Sequence, residues 1–213
     1  MGVNLNHRYS DKEEQLNVLT HGFGMLMSIV GLFFLTSKAS SYSSFWHQAS
    51  FIIYGVSMII LYAASTFYHA AKNQSLRRKL NIFDHAAIYL LIAGSYTPFC
   101  LVVLNNNFGW YMFLLVWCCA LLGVILKLFF TGRFDKLSTF LYLLMGWQVM
   151  FFIKPIMSNL PIEGLYYLVS GGISYTLGAI LYSISRIPYN HAVFHVFVLL
   201  GSFCHFITIF FYI

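Results

Sequence analysis

The feature that most constrains this chain is a succession of seven apolar runs, each about 20 residues long and parted by short polar breaks, the length needed to cross a hydrocarbon core of about 30 Å. They fall near residues 18–37, 49–69, 84–104, 109–130, 137–157, 165–184 and 191–213, and together take up nearly the whole chain. With 60% hydrophobic and only 8% charged residues, too little polar surface exists to coat a water-soluble globule of 213 residues. Membrane-spanning strands would alternate apolar and polar positions over about ten residues. Stretches such as Val102 to Leu104 and Phe151 to Ile153 do not alternate. The expected fold is therefore all-α: a polytopic membrane protein forming a single seven-helix bundle over residues 1–213, preceded by a short arm at 1–17.

Asp11, Lys12, Glu13 and Glu14 precede the first apolar run, and no small-residue cleavage pattern follows it, so no cleaved signal peptide is expected. Cys100, Cys118, Cys119 and Cys204 all lie inside apolar runs and form no C-x-x-C pair, which reads as reduced packing residues. The excess of 12 Lys and Arg over 6 Asp and Glu is a topology signal and implies no nucleic-acid partner. Arg8 and Lys12, then Lys72, Arg77, Arg78 and Lys79, then Lys127, Arg133 and Lys136, then Arg186 sit in the N-terminal arm and the even-numbered loops; the opposite loops hold Lys38 and Lys154. The positive-inside rule then places the N-terminus in the cytoplasm and the C-terminus outside, the reverse of G-protein-coupled receptors. Asn105 to Asn107, Thr131 to Asp135, Pro161 and Pro188 mark breaks, whereas Pro98 falls inside the third run and predicts a kink over Gly94 to Pro98. Trp46, Trp110 and Tyr111 are interface anchors by residue type, and His7 and His47 are expected in wet or interfacial positions.

Ionisable residues beside hydrocarbon are costly and mark sites. In the expected topology His69 closes span 2, Asp84 opens span 3, and His191 and His195 open span 7, so all four meet at the cytoplasmic end. His191 and His195 are four apart, on one helical face, a spacing that can chelate one ion. Ser65 and His69 share a face in the same way. Three imidazoles with an open fourth position describe a catalytic zinc site, although iron, nickel and copper also accept imidazole. Asp84 is placed to act as general base toward a water activated by such a metal. His85, about 100° around the helix from Asp84, reads as a neighbour, and His205, in mid-span, as a core histidine or a proton relay.

Glu14-Gln15-Leu16-Asn17-Val18-Leu19-Thr20-His21, Ser65-Thr66-Phe67-Tyr68-His69, Asp84, and His191-Ala192-Val193-Phe194-His195 followed by His205-Phe206 together resemble the hemolysin III group of the progestin and adiponectin receptor (PAQR) superfamily. The resemblance covers all seven runs. It implies one Zn2+ held by His69, His191 and His195, with Asp84 near the metal through water and Ser65 as the serine of the S-x-x-x-H motif. Glu14, Asn17 and His21 match the first motif and are candidates for supporting the ligands or for capping and packing. Relatives in eukaryotes carry long N-terminal extensions; the short arm here suggests a compact bacterial member in the cytoplasmic membrane. Adiponectin receptors are similar to alkaline ceramidases, which implies hydrolysis of a lipid amide or ester, with a membrane lipid, a fatty-acyl amide or a free fatty acid as partner. Two other expectations stand beside it: a membrane-perturbing protein, as the name hemolysin implies, and a transporter or proton-linked regulator of membrane energetics suggested by Asp84 and His205.

Overall fold

The computed structural model describes residues 9–131 and 134–213. His7, Arg8, Gly132 and Arg133, with the side chains of Asp135 and Lys136, lie outside the described residues. Among the described residues eight α-helices follow one another: α1 Asp11–Ala39, α2 Phe45–Ala70, α3 Gln74–Pro98, α4 Asn107–Phe130, α5 Asp135–Gly146, α6 Ile153–Asn159, α7 Ile162–Tyr182 and α8 Asn190–Tyr212. No strand occurs among the described residues. Six of these helices are long and apolar enough to cross a membrane, α3 doing so with the π-helical turn Phe99–Val103 that continues it.

The seventh candidate crossing is a bent pair of helices, a broken span or a re-entrant loop. After α5 the chain tightens into a 3-10 turn, Trp147–Phe151, and α6 departs with a 58° bend. The uninterrupted span expected over 137–157 is thus corrected, and Pro155 supplies the reason. Its ring would collide with the carbonyl four residues back, at Phe151, and it has no N–H to donate, so the helix must end before it and restart with Pro155 in the new first turn. At Pro98 the α-helix gives way to a π turn that carries the span on, in which Leu104 N donates to the Phe99 carbonyl at 2.9 Å.

Two helices begin well before the apolar runs that announced them. Residues 11–17 are not an arm; they are the first two turns of α1. Ser10 accepts from the Glu13 amide at 3.3 Å, and Asp11, Glu13 and Glu14 place negative charge against the positive end of the helix. Helix α3 starts ten residues ahead of Asp84, capped by Asn73 Oδ1, which accepts from Ser75 N and Leu76 N at 2.9 and 3.0 Å. Asp84 therefore lies in the third turn of its helix and not at its start. Lys127 also moves from an expected loop to the last turn of α4, where it is buried over the Tyr142 ring. His47, expected in a wet or interfacial position, lies in the first turn of α2, 6% exposed and stacked on Tyr42 at 3.7 Å.

Helix α1 packs on α2 and α8, α3 on α2 and α4, and α7 on α8. What faces inward on α1 is polar or small: Glu14, Asn17, His21, Gly24, Ser28 and Gly31 recur at alternating three- and four-residue steps. Leu19, Phe23, Leu26 and Phe33 point outward, 59–67% exposed. This is the inversion expected in lipid, where apolar contact between helices has no advantage over contact with acyl chains and close-packing or hydrogen-bonding residues take the interior. The inward stripe aims Glu14, Asn17 and His21 at the histidines of α2 and α8.

Candidate metal centre

His69, at the end of α2, and His191 and His195, in the first two turns of α8, bring three ring nitrogens within 4.8 Å of one another. All three residues are buried, and His69 Nε2 lies 3.1 Å from His191 Nε2. The opposite nitrogen of each ring is occupied. His69 Nδ1 donates to Glu14 Oε2 at 2.7 Å. His195 Nδ1 lies 3.2 Å from Thr20 Oγ1, whose own hydrogen goes to the carbonyl of Leu16 at 2.8 Å, so the threonine accepts from the imidazole. His191 Nδ1 meets the Tyr9 hydroxyl at 3.1 Å. With Nδ1–H committed on His69 and His195, their Nε2 lone pairs are left for the cluster, which is how outer hydrogen bonds orient imidazoles for a cation. Two ring nitrogens as close as His69 Nε2 and His191 Nε2 in a dry bundle need a cation or a shared proton between them. The residues present fit a metal ion.

Glu14 is itself held. The Arg77 guanidinium pairs with its second oxygen, stacks 4.6 Å above the Tyr68 ring, and donates to the carbonyls of Tyr68 and His69 at 3.3 and 3.4 Å. One arginine thus closes the C-terminal end of α2 and anchors the carboxylate that orients His69. Asn17 Nδ2 approaches the same His69 nitrogen at 3.4 Å. His21 is not one of the three donors; it stacks on His195 with ring centres 3.4 Å apart and planes 7° from parallel, its edge on Tyr62. Glu13 Oε1 accepts from the His191 amide at 3.3 Å, satisfying a donor at the start of α8. That start is strained, since Tyr189 adopts φ 56°, the left-handed region, just before it. Tyr9 is half-buried against the cluster, and the loss of water around its hydroxyl, with Tyr182 beside it, pushes its phenol well above the ordinary range. It stays a neutral hydroxyl.

Ser65 lies one turn before His69, 1% exposed, with no hydrogen-bond partner for its hydroxyl among the described residues. It faces a cavity that Asp84, His191 and His195 also line. Asp84 stands outside the three-donor group and is 8% exposed in the same wall. The cavity runs on between α3, α5, α7 and α8 along apolar side chains such as Ile88, Leu91, Phe99, Ile156 and Leu168. The three histidines, Ser65 and Asp84 are therefore brought to one place. His85, read as a bystander, lines that cavity too, its Nδ1 3.0 Å from the Asn81 carbonyl. Tyr9, Glu13, Thr20 and Arg77 were not singled out from sequence. Only Glu13 carried a legible sign, its place three residues after Ser10 in a capping pattern.

Glu14→Ala is expected to weaken metal binding about 10- to 100-fold while the bundle stays folded, because it removes what fixes the His69 ring and leaves the three donors. Competition with a chelator of known affinity reads this directly; unchanged affinity would show that Glu14 serves packing alone.

Six full crossings, a bent seventh candidate and a buried cluster able to hold a metal define a multi-pass cell-membrane protein with a polar centre inside the bundle. The model of the family described as Haemolysin-III related matches residues 9–206, and the chain belongs to that family. It is 45% identical over 204 residues to a protein called hemolysin-3 homolog from Bacillus subtilis (strain 168), covering 96% of each chain. Hemolysin-3 from Bacillus cereus is 43% identical over 202 residues, 95% of this chain and 92% of that one. The human monocyte to macrophage differentiation factor is 30% identical over 220 residues, 98% of this chain and 88% of the relative, which ties the chain to the wider superfamily.

Proposed function

We propose that this protein is a zinc-dependent membrane hydrolase of a lipid amide or ester, ceramidase-like in its chemistry. The observation that carries the reading is a three-imidazole cluster, without a fourth protein donor among the described residues, at the wall of an apolar cavity that also holds Asp84 and Ser65. His69, His191 and His195 would hold a zinc ion there, which would supply a Lewis acid for the substrate carbonyl and lower the pKa of a bound water from 15.7 to about 7. Asp84 takes a proton from the attacking water and delivers it to the departing nitrogen or oxygen. Ser65, whose hydroxyl has no partner among the described residues, donates to the carbonyl oxygen as negative charge builds on it. The apolar wall holds the acyl chain and keeps bulk water from the reacting carbonyl.

The N-terminus faces the cytoplasm in this reading. Lys12, Lys72, Arg78, Lys79 and Arg186 remain exposed on the side of the cluster, while on the other side Lys38 is turned inward onto the Phe210 carbonyl. Purified protein in mild detergent should release acid from long-chain acyl amides or esters, lose that activity on chelation and regain it with added zinc. Activity that persists after the metal is removed would defeat the proposal. The names of the Bacillus relatives favour a second reading, membrane perturbation. Vesicle leakage that survives simultaneous loss of the three histidines would support it over hydrolysis.

A further inference from the structure

A second polar station lies deeper in the cavity. His205, on α8 ten residues past His195, lines the same space, and so does Tyr175 of α7. Both rings sit where glycine makes room: a Cβ at Gly201 would lie 2.8 Å from the Tyr175 ring, and one at Gly171 would collide with the His205 imidazole. The two rings meet edge to face, 5.4 Å apart. Behind them Ser202 accepts from the Tyr62 hydroxyl at 2.7 Å and bonds Tyr175 at 2.9 Å. Its own hydrogen can go to Tyr175, which leaves the Tyr175 hydrogen for something else. His205 lies beside the Leu168 carbonyl, yet neither ring nitrogen makes a hydrogen bond of ordinary geometry among the described residues. An imidazole with spare capacity in an apolar wall is costly to keep and is satisfied by whatever fills the cavity.

We propose that His205 and Tyr175 bind a hydroxyl or keto group carried partway along an acyl chain whose polar end lies at the histidine cluster. The inference rests on reading the cavity as an acyl-chain site, and it narrows the ligand class from lipids in general to chains oxygenated at one position. At 1.5 Å of rise per residue, ten residues of α8 set the two stations about 15 Å apart along the bundle, about twelve carbons of extended chain. Tyr175 donates to the oxygen, and His205 accepts its hydrogen or, for a keto group, donates in turn. An unsubstituted chain satisfies neither.

The test is displacement of a fluorescent fatty acid from the metal-loaded protein in lipid nanodiscs. The competitors are octadecanoate, an octadecanoate with a hydroxyl about twelve carbons from the carboxyl, and one with its hydroxyl about six carbons from the carboxyl, too far to chelate the metal together with it. All three share the same carboxylate, so any affinity for the metal cancels. The mid-chain hydroxy acid is expected to bind about five- to ten-fold more tightly than octadecanoate, the other isomer no better than octadecanoate, and His205→Phe should erase the preference without altering zinc content. Should His205→Phe fail to fold, His205→Asn, which retains a donor and an acceptor, is expected to keep part of it. Equal binding of the three acids by the wild type overturns the station while leaving the acyl-chain cavity intact; so does a preference that survives in folded His205→Phe. If no acid displaces the probe, the cavity reading and this inference fall together.

Discussion

Purified wild-type protein should carry about one equivalent of zinc, and His69→Ala and His191→Ala should each carry close to none. The size of the effect follows from the donor count. Binding energies for protein-held zinc are on the order of 10 kcal/mol near neutral pH, so one of three donors accounts for about 3 kcal/mol, at least two orders of magnitude in affinity. The loss should exceed that of Glu14→Ala, because a ligand is removed and not the group that orients it. His21→Ala is the internal control: its ring is stacked on His195 and is not one of the three donors, so metal should remain. Elemental analysis after detergent purification decides the matter. Equal trace metal in wild type and all variants would leave the chain Tyr9, His191, His69, Glu14 as an ordinary hydrogen-bond network, with a proton where the cation has been placed.

Asp84→Asn should separate metal binding from turnover. Asp84 lies in the cavity wall outside the three-donor group, so its amide counterpart is expected to keep about one equivalent of zinc. Asparagine cannot take a proton from water, and a positioned acid or base contributes about 10²- to 10⁴-fold, so hydrolysis should fall by that factor in kcat with little change in KM. The measurement pairs metal content with release of acid from an acyl amide. Zinc lost together with activity would make Asp84 a ligand; zinc and activity both retained would remove it from the chemistry. Wild-type leakage of vesicles, unchanged in this variant and in the histidine variants, would instead favour the membrane-perturbing reading.

The crossings were legible because hydrocarbon contact is written in residue type: a helix wetted by lipid must be apolar around most of its circumference, and six long helices and one bent pair follow those runs. Their starts were less legible for the same reason. Hydropathy reports what touches lipid, whereas the first turns of α1 and α3 are helical yet polar, held by the caps Ser10 and Asn73. The fifth run was expected as one continuous span although Pro155 lies in it, because whether a proline bends or divides a membrane helix depends on what its neighbours can satisfy. Arg77 and Lys127 show a limit of another kind. Counted as topology signals, they turn out to be a clasp on Glu14 and a buried residue over Tyr142. Charge counting weighs a lysine or arginine by its place in the chain and carries no information about the side chain's partners.

The amino-acid order alone determined that this chain lives in a membrane as a helical bundle and that His191 and His195 share a face, because those properties depend on composition and on a helical period of 3.6 residues. The order of the spans already put His69 and Asp84 at the same end as that pair; only the folded bundle decided that the three rings close to within 4.8 Å, that Glu14, Thr20 and Tyr9 hold them from behind, and that Asp84 and Ser65 look into one cavity. These groups come from distant parts of the chain, up to 182 residues apart in the case of Tyr9 and His191. Their distances are set by how small and polar residues let α1, α2 and α8 approach, a property of surfaces meeting in space that no local pattern encodes.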